Sequence, residues 1–136
     1  MKKHLPLICM VALLVITTLS NCNKDNNTDT SLAGGITGRY SNGYIDIVVN
    51  KVDDNTVSVS IDGLGENFNS TTVNTATTFT LNKVVVTDNA DELYQKSGYG
   101  SCSNGNISVT VEEMQVYRQI QDTTRTSFTY TGTKVQ

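Results

Sequence analysis

From Gly34 onward the apolar residues fall on alternate positions, a period of two that puts them on one face of an extended chain. Ile45, Ile47 and Val49 alternate with Asp46, Val48 and Asn50, and Val57, Val59 and Ile61 alternate with Ser58, Ser60 and Asp62. The Asp53-Asp54-Asn55 cluster between them is turn chemistry, so the two runs predict a hairpin. Asp62-Gly63-Leu64-Gly65-Glu66-Asn67 reads as a loop. Thr77 to Thr87 begins as alternation at Phe79 and Leu81 and ends in the continuous run Val84-Val85-Val86. That pattern predicts a strand buried on both faces or one carrying a bulge.

Asp88-Asn89-Ala90-Asp91 reads as the next turn, and Glu92 to Gly100 as a weaker strand broken by Gly98 and Gly100. Ser101-Cys102-Ser103-Asn104-Gly105 is expected to turn, with Cys102 in the turn or at a strand end. Ile107, Val109 and Val111 then sit on odd numbers, while Met114, Val116 and Ile120 sit on even ones. A slip of one residue moves every side chain to the opposite face, so a bulge or sharp bend is expected near Glu113. Gln121 to Thr124 is expected to turn, and Thr126, Phe128 and Tyr130 to lie in a last strand reaching about Val135. The expected fold class is all-β, of seven or eight strands with short connections and no helix after residue 22. Short connections favour an antiparallel meander, which loses its edges by closing into a barrel. A two-sheet sandwich is the competing architecture.

The N-terminus follows a different pattern. Lys2 and Lys3 precede an almost wholly apolar run of 15 positions, Leu5 to Leu19, and Cys22 follows closely. A permanent bilayer span needs roughly 20 apolar residues, so this run suits a cleaved export signal better than an anchor. Leu19 and Ser20 ahead of Cys22 resemble the lipobox of bacterial lipoproteins, with Asn21 where Gly, Ala or Ser is usual. The resemblance implies cleavage before Cys22, lipid on its sulfur, and a membrane partner held through that lipid. Acyl chains contribute roughly 0.8 kcal/mol per buried CH₂, enough in twos and threes for a stable anchor. Residues 22–33 contain little that can be buried and read as a flexible tether. Lys24-Asp25 behind the cysteine resembles the surface-export signal of Bacteroidota lipoproteins, which implies an outer-membrane protein exposed at the cell surface. The expected organisation is a signal peptide over 1–21, a tether over 22–33 and one β-domain over 34–136.

Cleavage changes the available chemistry. It removes His4, Pro6 and Cys9, the only histidine and proline among them. No His-based triad or zinc site can then be built, so no enzyme, cofactor or metal is expected. Of the ten Lys and Arg the signal takes Lys2 and Lys3, while all thirteen Asp and Glu remain, a net charge of −5. That acidic balance argues against a nucleic-acid partner. Cys102 is left beside Cys22, and no internal disulfide is expected. The acidic pairs Asp53-Asp54, Asp91-Glu92 and Glu112-Glu113 are adjacent residues, which point to opposite faces of a strand or into solvent from a turn, so none suits paired-carboxylate catalysis. Asp62, Glu66 and Asn67, or Asp88, Asn89 and Asp91, match no known calcium-loop spacing and read as turn formers.

Several segments resemble the lipocalin-like (calycin-type) domains of Bacteroidota lipoproteins. They are Ile36-Thr37-Gly38-Arg39-Tyr40, Val52 to Val59, Gly98-Tyr99-Gly100 with Asn106 to Val109, and Phe128 to Lys134. The resemblance implies a small lipocalin-like barrel of about eight strands on a lipid anchor, and no agreed function. The leading expectation for its role is a non-enzymatic binding module that holds a small or lipophilic ligand. Tyr40 stands near the place of the tryptophan that opens classical lipocalins. The aromatic residues expected to line such a site are Tyr44, Phe79, Tyr99, Tyr117 and Phe128, against the alternative that they fill the core or cover its ends. A protein-directed surface lipoprotein, an adhesin or an inhibitor, is the other expectation. For it, Lys96-Ser97-Gly98-Tyr99 is similar to the Ser-Gly loop with a nearby Tyr in the small barrel lipoproteins that block lysozyme.

Overall fold

The computed structural model describes residues 30–135. The signal segment 1–21, Cys22 and most of the tether lie outside them. A short 3₁₀ turn, Ala33–Gly35, leads into eight strands: β1 (Gly38–Ser41), β2 (Asp46–Lys51), β3 (Thr56–Asp62), β4 (Glu66–Thr75), β5 (Thr78–Asp88), β6 (Glu92–Ser103), β7 (Asn106–Tyr117) and β8 (Asp122–Lys134). Each strand pairs antiparallel with the next, and β8 returns to β1 through Tyr40↔Lys134 and Ser41↔Thr133. The chain is therefore a closed meander barrel, and the sandwich alternative is excluded.

The alternation read from the sequence fills this barrel. Ile47, Val49, Val57, Val59, Ile61, Phe68, Phe79, Leu81, Ile107, Val109 and Val111 are all at most 2 % exposed, which leaves the interior occupied by side chains. One end is closed. Ala33 and Ile36 are buried there, Ala33 N–H donates to Asp54 O (3.1 Å), and the Tyr40 hydroxyl donates to Ile36 O (2.8 Å). Burial pushes the Tyr40 phenol well above its ordinary range.

The expected bulge near Glu113 is absent. β7 runs in unbroken register from Asn106 to Tyr117 against both β6 and β8. Odd-numbered residues keep facing inward past Val111, and the apolar set changes face because the strand has left the packed interior. Bulges occur elsewhere: register shifts fall between Leu81 and Val84 and between Val85 and Thr87, inside the run that predicted one. Two more lie in the β3–β4 and β4–β5 pairings.

Gly98 and Gly100 do not break β6. They face Leu81 and Phe79 of β5 directly, and a Cβ on Gly100 would lie 2.1 Å from Phe79 Cζ. β6 continues through Cys102, so the turn shrinks to Asn104-Gly105, both with positive φ. The last turn is likewise displaced: it occupies residues 118–121, with Gln121 at φ 52°, and β8 starts at Asp122. Glu66 and Asn67, read as loop, open β4.

Cys102 corrects a further expectation. Its side chain is buried on the interior face, 3.4 Å from the Tyr40 hydroxyl oxygen, and its sulfur is in a disulfide. The partner sulfur lies outside the described residues.

Candidate functional site

Strand length builds the site. β1, β2 and β3 have 4, 6 and 7 residues, whereas β5 to β8 have 11 to 13. The surplus lies at the end opposite the 3₁₀ turn, where residues 42–45, 63–65, 89–91 and 118–121 connect the strands. There β5 to β8 project past the closed barrel as a curved sheet whose inner face no longer has a wall in front of it.

The register defines that inner face. Gly98, Val111 and Phe128 form one row; Lys96, Glu113 and Thr126 the next; Tyr94, Gln115 and Thr124 the third. The Lys96 ammonium lies between two carboxylates, Glu66 from the start of β4 and Glu113 at 3.1 Å, and 5.5 Å from the centre of the Tyr94 ring. Its side chain is 17 % exposed. Burial lowers the affinity of Lys96 for its proton, but hydrogen bonds to Glu66, Glu113 and Tyr94 outweigh it, and the group is held above the usual lysine range. Burial raises the Tyr94 and Tyr130 hydroxyls, helped by Glu113 at the first and by Glu66 and Glu113 at the second. The cluster ties the β3–β4 hairpin to the projecting sheet. Beside it an open cleft of about 230 Å³ is lined by Glu66, Phe68, Val84, Val86, Tyr94 and Lys96.

The rim is built to expose apolar side chains. Asn42 Oδ1 accepts the N–H groups of Tyr44 and Ile45, both at 2.9 Å, and fixes a turn from which the Tyr44 ring is 96 % exposed. Leu64 on the β3–β4 turn and Ile120 on the β7–β8 turn are 46 % and 72 % exposed. The last two turns are cross-braced: Arg118 N–H donates to Asp91 O (2.8 Å), and its guanidinium pairs with Asp88 (2.5 Å).

The five aromatic residues expected at a ligand site are dispersed. Phe79 is in the core, packed on Gly100. Tyr99 is on the outer face, in the row of Thr110 and Thr129. Tyr117 and Phe128 belong to the inner face of the projection and are partly exposed, and Tyr44 tips the β1–β2 turn at the same end. Lys96-Ser97-Gly98-Tyr99 is strand, not loop, and its Ser97 and Tyr99 alternate with inward Lys96 and Gly98. The similarity to a lysozyme-blocking loop therefore has no structural counterpart. Sequence reasoning weighed Glu66 only as a loop residue and Lys96 only within the Lys96-Ser97-Gly98-Tyr99 similarity, and it did not join them to Tyr94 and Glu113. The available signal was phase: Tyr94 and Lys96 share the parity of Gly98, Gly100 and Cys102.

No family model matches this sequence, and no curated protein or solved structure matches it. What is established is an eight-stranded antiparallel meander barrel, compatible with a lipocalin-like fold and consistent with a small binding module.

Proposed function

We propose that this protein is a non-enzymatic binding module of the cell envelope, anchored through lipid on Cys22 at the outer membrane, that engages a protein partner with its open end. The observation that carries the reading is the split between a filled interior and an apolar rim. The side chains from Tyr40 to Val111 leave the barrel no lipocalin-style calyx, while Tyr44, Leu64 and Ile120 crown the opposite end. Exposed apolar side chains gathered on one face mark interaction surfaces. Chain direction supports the same orientation: the described chain enters beside Asp54 at the closed end, so a lipid anchor ahead of it leaves the open end facing away from the membrane.

The test is site-specific photocrosslinking in intact cells. A crosslinking residue at position 44 or 120 is expected to give discrete protein adducts that the same residue at Val52, on the closed end, does not. Equal labelling at both ends, or none, overturns the reading. A second reading, a small amphipathic ligand, is favoured by the cleft beside Lys96, whose lining combines apolar Phe68, Val84 and Val86 with charged Glu66 and Lys96. Native mass spectrometry of the gently extracted chain separates the two, since a bound ligand adds a mass that denaturation removes.

A further inference from the structure

Among the described residues, the open end carries all of the net charge. Six of the eight strand ends there are acidic: Asp46, Asp62, Glu66, Asp88, Glu92 and Asp122. Asp91, in the β5–β6 turn, is a seventh acid. Three of the seven have a cation, in the pairs Arg39–Asp46, Lys96–Glu66 and Arg118–Asp88. Asp62, Asp91, Glu92 and Asp122 have none within ion-pair distance among the described residues. Elsewhere in the described chain the charges cancel, with Asp53, Asp54, Glu112 and Glu113 against Lys51, Lys83, Arg125 and Lys134. The excess of four negative charges therefore sits at one end of the barrel. Turn formation does not account for it. Asparagines do that work at two of the turns, where Asn42 Oδ1 and Asn89 Oδ1 accept the backbone N–H groups.

The acids are interleaved with the exposed apolar tips. Tyr44 lies two residues before Asp46, Leu64 stands between Asp62 and Glu66, and Ile120 lies two residues before Asp122. Beside Ile120 a shallow hollow of about 320 Å³ is lined by Asp91, Tyr117, Gln119 and Ile120. We propose that the partner engaged by the open end is a basic protein, whose Lys and Arg side chains surround an apolar recess. This inference rests on the open-end reading and names the chemistry of its partner. An apolar centre with a polar rim is the usual anatomy of a protein interface. Opposite charge across it steers encounter and rejects like-charged partners. The same four charges repel a nucleic acid and an anionic lipid surface. A second copy of this chain presents the same acidic end and is repelled as well.

The experiment uses the full chain in intact cells, with p-benzoylphenylalanine at position 44 or 120 as the probe. Asp62→Lys together with Asp122→Lys reverses two unpaired rim charges. It is expected to cut the yield of protein adducts, per chain present in the envelope, by about fivefold or more, because rim charges act mainly on the association rate. Asp54→Lys together with Glu112→Lys changes the net charge equally but away from the open end, and is expected to leave the yield unchanged. All four side chains are exposed, so the purified variants are expected to keep the wild-type circular dichroism. Mass spectrometry of the linked peptides is expected to identify a protein that is rich in Lys and Arg around the link. A yield unmoved by the rim pair, an equal fall with the control pair, or a linked protein without that basic surround overturns the inference. Each of these leaves the open-end reading standing, since adducts still form at positions 44 and 120. Absence of adducts from both positions in the otherwise unchanged chain removes the open-end reading, and this inference with it.

Discussion

The Phe79 ring fills the space where a side chain at residue 100 would stand: a Cβ there would lie 2.1, 2.4 and 2.8 Å from three of its atoms. Leu81 and Gly98 repeat the pairing one step along, and there the added Cβ would lie 2.0 Å from the Thr110 backbone oxygen. The Phe79 ring on β5 thus requires a glycine at residue 100, and the β7 backbone at Thr110 requires one at residue 98. Gly100→Ala is expected to lower stability by about 1–3 kcal/mol through overpacking. Gly98→Ala is expected to cost more, because backbone cannot rotate aside as a ring can. Urea midpoints of the two variants check both, and equal midpoints would remove the distinction.

Glu112 and Glu113 are adjacent but do different work. Glu113 reaches Lys96 at 3.1 Å on the inner face; Glu112 points outward. Glu113→Gln is expected to destabilise by about 1–2 kcal/mol, as loss of a charged hydrogen bond in a partly buried cluster. Glu112→Gln should stay within about 0.5 kcal/mol of wild type. If a bulge reversed the faces here, the two thermal shifts would exchange.

Stability is expected to fall on the alkaline side. Tyr40 and Lys96 both hold their protons more tightly in the folded chain than their ordinary ranges of about 10 and about 10.4. A group with a raised folded pKa contributes fully below its unfolded value and loses that contribution as pH climbs towards its folded value. Both contributions are therefore constant between pH 6 and 9 and decline above about pH 10. Melting temperatures across pH 7 to 12 check this. Tyr40→Phe is expected to cost about 1 kcal/mol at neutral pH, from the lost bond to Ile36 O, and to flatten the alkaline decline.

Lipid on Cys22 and a bond from Cys22 to Cys102 are competing uses of one sulfur. Cys102 is in a disulfide, and the chain's other cysteines are Cys9 and Cys22. The anchor reading expects the peptide beginning at Cys22, from protein isolated out of the envelope and digested without reduction, to carry acyl chains. A peptide joining Cys22 to Cys102 in its place would sink the anchor.

The β2–β3 hairpin shows how much was legible. Ile47, Val49, Val57, Val59 and Ile61 alternate with polar residues because one side of their strands faces packed side chains and the other faces water. All five point inward. β4 was far less visible, because Phe68 and Val73 are its only large apolar residues and threonine, at Thr71, fills the interior position between them. The candidate site was nearly silent. Glu66, Tyr94, Lys96 and Glu113 come from three strands, and no local pattern joins residue 66 to residue 96.

Local sequence determined the period of two, most of the turns and the all-β class, and narrowed the Val84-Val85-Val86 run to a bulge or a strand buried on both faces. Each depends on backbone preference and on which face a residue must hide, and both act between near neighbours. Only the tertiary structure decided what lay on the hidden face. Closure of β8 on β1 made that face a filled interior over the first half of β7, and the greater length of β5 to β8 made it an open, charged shelf over the second. The same inward parity carries Val111 and Glu113 because solvent access, not strand phase, changes between them.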